Sequence, residues 1–202
     1  MKTNFLKTGK SCFKIALLLS LSLSLTNCSK DDDPVAPVLA PLQNPLAGYL
    51  AASAFDQKTV NFINEPTNYE FGYSFIPLVN GKMTAIVVKI PDARLGMRIT
   101  VWDKAAGTVI RTETIDVATA GVEVTKQITA LDLIKDKEYI LSMNSNDWYE
   151  RSRTNEAAVT YPFTVGDIKV TSYSYRDGTA QAIPNTPVLN YYAGDCSFKF
   201  QK

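Results

Sequence analysis

Residues 69–75 read Tyr-Glu-Phe-Gly-Tyr-Ser-Phe, with an aromatic side chain at every second position and smaller or polar residues between. Side chains of a β-strand alternate between its two faces, so this period of two predicts a half-buried strand. Asn80-Gly81 follows, and both residues tolerate the positive φ of a tight turn. Residues 83–90 (MTAIVVKI) are rich in β-branched side chains and predict a core strand. Two strands joined by a turn therefore indicate a β fold.

Similar patterns recur through the rest of the chain. Asp177-Gly178 is a favoured hairpin turn between residues 168–176 and 179–183. The strongest helix candidate, residues 130–137, is short. Further strands are expected at residues 97–102, 108–115, 122–128, 138–144 and 196–200. Short strands spaced by turns favour an all-β fold: an antiparallel β-sandwich, jelly-roll or immunoglobulin-like, forming a single domain over residues 48–202.

Several of these stretches also resemble an uncharacterised bacterial family, domain of unknown function 4082. Phe71-Gly72 and Trp102-Asp103 stand at the places where that family has its opening strand and its first hairpin. The similar stretches are residues 69–75, 79–86, 97–103, 107–113 and 138–143. The resemblance implies an immunoglobulin-like or jelly-roll β-sandwich, as found in secreted and surface proteins beside carbohydrate-active modules. It transfers no catalytic residue.

Residues 1–27 are typical of a secretion signal. Residues 15–25 (IALLLSLSLSL) form an apolar run of 11 residues after a leader with four lysines and no acid. A membrane-spanning helix needs about 20 apolar residues, so the run suits a signal-peptide core, which is removed. The alternative is a buried helix of a cytosolic protein. Removal of the four lysines would change the net charge from +1 to −3.

The end of this signal, Leu25-Thr26-Asn27-Cys28, resembles the lipobox of bacterial lipoproteins. The resemblance implies that Cys28 carries a diacylglyceryl group on its thiol and an acylated amine, with fatty acids such as palmitate. The partner of this lipid anchor would be the membrane, into which the acyl chains insert. Alternatively, Cys28 is an unpaired cysteine near a plain cleavage site. With Cys12 removed and Cys28 acylated, Cys196 would be alone, without an internal disulfide.

Residues 28–47 are predicted to be a lipidated, acidic and proline-rich tether. Its beginning, Ser29, Lys30, Asp31, Asp32 and Asp33, resembles the export signal of surface lipoproteins in Bacteroidota-type bacteria. That resemblance implies display on the outer face of the outer membrane; the alternatives are periplasm-facing anchoring and a merely solvated acidic run. The following prolines favour an extended spacer, and they are Pro34, Pro37, Pro41 and Pro45.

The densest candidate ligand site is residues 144–153 (NSNDWYERSR), expected to be a loop. Trp148 and Tyr149 would offer flat faces for sugar rings, while Arg151 and Arg153 would donate hydrogen bonds. The alternative is a loop in which Trp148 is a core plug and the charges are solvated. Weaker aromatic candidates, each with a packing alternative, are Trp102, Tyr173, Tyr175, Tyr191 and Tyr192.

Composition excludes several function classes. The chain has no histidine, so Ser-His-Asp triads, Cys-His pairs and His-ligated zinc are excluded. No basic patch suggests a nucleic-acid partner. We therefore expect a non-enzymatic surface lipoprotein that binds a glycan or other ligand, with no cofactor or metal site. The alternatives are a structural or adhesion subunit that pairs with an envelope protein through a sheet face or edge, and a small glycoside hydrolase using acid pairs such as Glu113/Asp116 or Asp147/Glu150.

Overall fold

The computed structural model describes residues 40–202. The predicted signal peptide, the lipidation site Cys28 and the export signal Ser29 to Asp33 lie outside the described residues. Within the described part, no helix is long and apolar enough to cross a membrane. Cys196, the single cysteine of this part, is a buried free thiol whose pKa is raised by burial.

One short helix and thirteen strands make up the described part. The helix is α1 (Pro45–Ser53). The strands are β1 (Lys58–Phe62), β2 (Tyr69–Pro77), β3 (Gly81–Lys89), β4 (Arg94–Asp103), β5 (Thr108–Val117), β6 (Val124–Leu133), β7 (Tyr139–Ser145), β8 (Trp148–Ser152), β9 (Phe163–Val165), β10 (Ile168–Asp177), β11 (Thr186–Pro187), β12 (Tyr191–Ala193) and β13 (Asp195–Gln201).

The strands form three antiparallel sheets that enclose one hydrophobic core. The large sheet has seven strands in the order β11-β10-β2-β7-β4-β5, with β9 also paired to β10. Two three-stranded sheets, β1-β8-β12 and β13-β3-β6, are joined where the chain passes through Gly194 from β12 to β13. Buried side chains from all three sheets form a single cluster. The predicted all-β, antiparallel sandwich is confirmed.

Strand β2 has the predicted period of two, but it is buried on both faces. Phe71, Tyr73 and Phe75 lie in the core as expected. On the opposite face, Glu70 is only 1% exposed, because the segment 178–187 crosses this side of the large sheet. A Cβ on Gly72 would lie 3.0 Å from the ring of Pro184 in that segment. The expectation of a half-buried strand is therefore wrong.

The hairpin predicted for residues 168–183 is not formed, because the same segment takes another course. Residues 179–183 form no strand; β10 instead pairs with Thr186 and Pro187 of β11. Gln181 donates hydrogen bonds to the hydroxyls of Thr100 and Thr112 on the large sheet. Hydrogen bonding to the polar sheet face thus replaces the hairpin pairing that the Asp-Gly turn indicates.

The two helix assignments also change. Residues 130–137 are not helical: β6 continues to Leu133, which pairs with Gly81 of β3, and Asp136 then turns with φ 62°. A short isolated helix is marginal, so pairing in the sheet prevails. The actual helix, α1, begins at Pro45, after the side chain of Asn44 accepts a hydrogen bond from the amide of Leu46.

Helix α1 places the start of the folded domain before residue 48. Gln43 forms an isolated antiparallel bridge with Phe200, with both backbone hydrogen bonds 2.8 Å long. Tyr49 of the helix is 1% exposed and lies within the aromatic core. Residues 43–47, predicted as part of the tether, therefore belong to the domain, and Pro45 opens a helix instead of extending a spacer.

Candidate functional site

Residues 148–152 form strand β8, where a loop was expected. Strand β8 lies between β1 and β12 and pairs with both. Because alternate side chains of a strand point to opposite faces, Trp148 and Glu150 lie on one face and Tyr149 and Arg151 on the other. The predicted platform of Trp148 beside Tyr149 is therefore not formed.

Trp148 is 8% exposed and acts as the core plug that the alternative interpretation described. Its indole stacks on the ring of Phe62, with ring centroids 4.9 Å apart and planes 13° from parallel. Tyr69 and Phe71 pack against it at centroid distances of 5.2 and 4.9 Å. The indole is thus packed mostly against protein, and it also lines a small cavity.

That cavity, which we call the aromatic cleft, has a volume of about 200 Å³. It lies between the large sheet and the sheet β1-β8-β12, since both contribute side chains to its wall. Its lining residues are Phe62, Tyr69, Phe71, Trp148, Glu150, Tyr175, Tyr191 and Ala193. Six of these eight residues are aromatic, and one is a carboxylate.

Glu150 is the charged group of the aromatic cleft. No described residue forms a hydrogen bond or an ion pair with its side chain in the structure. Burial raises the pKa of the Glu150 carboxyl, while the nearby cation Lys58 lowers it and Glu156 raises it. Lys58 itself is paired with Glu156 at 2.5 Å. Burial also raises the pKa of Tyr191 to about 12, with the charges of Tyr175, Glu150 and Tyr69 adding to the effect.

The opposite face of β8 borders a second cavity of about 360 Å³, which we call the charged cleft. Its lining residues are Asn44, Leu46, Ala47, Leu50, Asp56, Val87, Lys89, Glu123, Arg151 and Asp195. Arg151 donates from Nε to both carboxylate oxygens of Asp195, at 2.7 and 3.0 Å, and from Nη1 to the hydroxyl of Thr59. The guanidinium that was expected to bind a ligand is therefore held by the protein itself.

Tyr149 is likewise engaged within the protein. The Nζ of Lys89 lies 5.6 Å, and the Cζ of Arg151 lies 5.4 Å, from the centroid of its ring. These are cation–π distances, so the ring interacts with cations of the chain itself. Arg153 has a structural part too: it donates from Nε to the carbonyl of Ser53 at the end of α1 and from Nη1 to the carbonyl of Ala158.

Of the four predicted ligand residues, only Trp148 borders the aromatic cleft, and Tyr149, Arg151 and Arg153 make structural contacts elsewhere. Among the weaker candidates, Tyr175 and Tyr191 line the cleft, whereas Tyr192 is 1% exposed. Tyr173 is also 1% exposed, as the packing alternative proposed. Trp102 is 4% exposed, and its Nε1–H donates to the Ser142 hydroxyl at 3.0 Å.

Phe62, Tyr69 and Glu150 were not singled out from the sequence as members of one cleft. The alternation in Trp148-Tyr149-Glu150-Arg151-Ser152 is the signal that could have separated the two faces, had these residues been assigned to a strand. Phe62 and Tyr69 come from other strands, and only the folded chain brings them together.

The other three carboxylates of the predicted acid pairs, Glu113, Asp116 and Asp147, form ion pairs or hydrogen bonds within the protein. Glu113 pairs with Lys126 at 2.9 Å and with Arg111 at 3.2 Å, and Asp116 accepts from the amide of Gly96. Asp147 is buried and accepts from the amide of Asn64 at 2.6 Å. Within residues 40–202, no group of three or more His, Cys, Asp or Glu side chains could hold a metal ion.

A larger cavity, about 580 Å³, lies at residues 80–82, 132–134 and 201–202. It has no aromatic lining residue, and its Lys82 is paired with Asp132 at 2.6 Å. The aromatic cleft is therefore the better candidate, because it combines ring surfaces with a carboxylate that has no described partner.

Comparison with known proteins adds no assignment. No protein-family model matches the chain. No curated protein matches it either.

Proposed function

We propose that this protein is a non-catalytic, lipid-anchored binding protein of the bacterial cell surface that takes a saccharide ligand in the aromatic cleft. The observation that carries the proposal is that six aromatic side chains, from the large sheet and from the sheet β1-β8-β12, surround Glu150. Rings and a carboxylate are the two kinds of group that a sugar needs, since its C–H faces stack on rings and its hydroxyls donate to carboxylate oxygens.

The size of the cleft limits the ligand. Pockets for drug-sized ligands measure about 300–1,000 Å³, whereas the aromatic cleft has about 200 Å³. One sugar ring, at an end or branch of a longer glycan, suits this volume better than an extended chain does. Tyr69, Tyr175 and Tyr191, which are all partly exposed, form the accessible part of the wall.

Glycan-array binding of the full-length protein tests the proposal. We expect wild-type protein to bind, a Tyr175→Ala Tyr191→Ala variant to lose at least about tenfold in affinity, and Tyr149→Ala to bind like wild type. Tyr149 is the matched control because it is an aromatic residue on the opposite face of β8. Absence of binding by folded wild-type protein would remove the proposal.

The anchor and its orientation form a separate part of the proposal, supported by Cys28 and by residues 29–33 of the sequence. Mass spectrometry of protein from its native host should find an acylated Cys28 as the first residue. Replacement of Asp31, Asp32 and Asp33 by Ala should lower antibody labelling of intact cells. Undiminished labelling would favour periplasm-facing anchoring or another export signal.

The second candidate function is a structural or adhesion subunit. Strand β1 favours it, because β1 is an edge strand whose Val60 is 36% exposed and whose outer side pairs with no described strand. An exposed edge can add a strand from a partner protein. On this hypothesis, Val60→Lys abolishes cross-linking to an envelope protein on intact cells while glycan binding is unchanged.

A further inference from the structure

We propose that the ligand of the aromatic cleft carries a protonated amine that pairs with Glu150, which makes it an amino sugar with a free amine and not a neutral or acidic sugar. This inference rests on the proposed saccharide function of the cleft and names the class of sugar.

The first argument is the uncompensated charge. Glu150 lines the cleft together with seven uncharged residues, and none of these lining residues is Lys or Arg. Glu150 is partly buried, so its carboxylate loses part of its hydration, and an ion pair with a ligand would offset that cost. The charged cleft on the other face of β8 is different, because Arg151 and Lys89 lie there close to Asp195.

The second argument is that the nearest cation of the protein is already paired. Lys58 lies on β1 opposite Ser152 and bonds to Glu156 at 2.5 Å. Both partners are largely exposed, with side chains that are 44% and 59% accessible. Lys58 therefore acts on Glu150 only by long-range electrostatic attraction. No cation of the protein lines the cleft, so a cationic group of a ligand could pair with Glu150 there.

The third argument is the character of the walls. Aromatic faces carry negative electrostatic potential, and an ammonium group within about 6 Å of a ring centroid is attracted to them. Tyr69, Tyr175 and Tyr191 line the cleft together with Glu150. The same walls that stack a sugar ring thus favour a positive substituent on it.

Binding should depend on pH through Glu150. The charged or titratable groups around it are Lys58, Glu156, Tyr69, Tyr173, Tyr175 and Tyr191. The hydrogen bond with Glu156 raises the pKa of Lys58, and burial raises the pKa of Tyr173 and of Tyr191, so these three groups do not change charge around neutral pH. Affinity for an amine ligand should therefore increase as pH rises through the raised pKa of Glu150 and decrease when the sugar amine loses its proton.

Calorimetry with three trisaccharides provides the test: the β-1,4-linked trisaccharide of glucosamine, its fully N-acetylated counterpart, and the corresponding glucose trisaccharide. The full-length protein is used in detergent at a pH above the raised pKa of Glu150 and below the pKa of the sugar amine, so that the carboxylate and the free amines are both charged. The glucosamine trisaccharide should bind at least about tenfold more tightly than either neutral one, a difference of about 1.4 kcal/mol.

Two variants locate the effect. Glu150→Gln keeps the shape of the side chain and one acceptor oxygen, so it should abolish the preference for the amine: the glucosamine trisaccharide should lose at least about tenfold more affinity than either neutral trisaccharide. Glu123→Gln removes a carboxylate of the charged cleft and should leave the preference intact. Loss of the preference in Glu123→Gln would place the amine in the wrong cavity and overturn the inference.

The remaining outcomes separate this inference from the proposed function. Equal binding of charged and neutral trisaccharides, or an equal loss of both in Glu150→Gln, overturns the amine assignment and leaves saccharide binding standing. Failure of every saccharide to bind overturns both. Tighter binding of a lysine derivative with blocked backbone groups than of the glucosamine trisaccharide would show that the amine comes from a protein and not from a sugar.

Discussion

Arg151 on β8 and Asp195 on β13 form a forked ion pair that connects the two three-stranded sheets. Nε of Arg151 lies 2.7 and 3.0 Å from the two carboxylate oxygens, and Nη2 donates to one of them as well. Asp195 is 5% exposed, and burial raises the pKa of its carboxyl against the opposing effect of Arg151. The pair lies beside Gly194, where the chain changes from one sheet to the other.

Asp195→Ala should therefore destabilise the domain. Loss of one partner of a fully buried pair costs about 3–5 kcal/mol, and we expect about 2–3 kcal/mol because part of Arg151 reaches solvent. Urea denaturation followed by tyrosine and tryptophan fluorescence measures the change. The double variant Arg151→Met Asp195→Leu, which leaves no unpaired charge, should recover part of the loss; a double variant as unstable as the single one would contradict this account.

The two neighbours Trp148 and Tyr149 should differ in their contribution to stability. Trp148→Ala removes a ring packed against Phe62, Tyr69 and Phe71, and we expect a loss of about 3–5 kcal/mol. Tyr149→Ala removes a partly exposed ring with two cation contacts, each worth about 0.5–1 kcal/mol. Thermal unfolding of both variants checks the order, and a similar loss in both would contradict the opposite placement of their side chains.

Glu150→Gln should stabilise the folded protein at neutral pH. Burial raises the pKa of Glu150 in the fold, so the stability that its protonated form contributes is present below the unfolded pKa and is lost as pH rises through the folded pKa. Gln has no such loss. The melting temperature of the variant should exceed that of wild type at neutral pH, and the gap should close below about pH 4.

Glu156→Gln is the control of opposite sign for this pH dependence. The hydrogen bond from Lys58 lowers the pKa of Glu156, so its contribution is present above the unfolded pKa and is lost as pH falls. The Glu156→Gln variant should be no more stable than wild type at neutral pH. A stabilisation equal to that of Glu150→Gln would mean that general charge, and not burial in the cleft, explains the effect.

Gly194→Ala should be more damaging than Gly107→Ala. Both glycines have positive φ, +81° and +68°, which costs a residue with a Cβ about 1–2 kcal/mol. A Cβ on Gly194 would also lie 2.8 Å from the Cβ of Phe71, whereas nothing lies within 4 Å of one on Gly107. Gly107→Ala should lose only the backbone term, so equal melting temperatures for the two variants would argue against the close approach.

Sequence predicted the strands whose signal is local. The alternation of residues 69–75 and the β-branched run of residues 83–90 correspond to β2 and β3, because alternating aromatic side chains and β-branched residues both favour an extended strand. Helix α1 was missed because Pro45 was grouped with the preceding prolines of the expected extended tether, although Asn44-Pro45 is also a favourable helix start. The covering segment 178–187 was missed because its hydrogen bonds are long-range.

The site was less predictable than the fold. Trp148 was singled out as a ligand residue, and it is a buried ring that lines the aromatic cleft; its neighbours Tyr149 and Arg151 were placed with it because a loop was assumed. Because these residues form strand β8, the side chains of Tyr149 and Arg151 lie on the face of the strand opposite to Trp148. The sequence indicated Glu150 only as one carboxylate of a possible acid pair with Asp147; what distinguishes it in the fold is the set of aromatic rings around it, five of which come from four other strands.

Gln43 pairs with Phe200, two residues before the end of the described chain at Lys202. A reporter protein fused after Lys202 would consequently stand beside the point where residues 40–42 lead into the domain. The same proximity makes the domain suited to circular permutation: a short linker from Lys202 back to Ala40 would close the chain, and new ends could be opened at the exposed turn of Gly107.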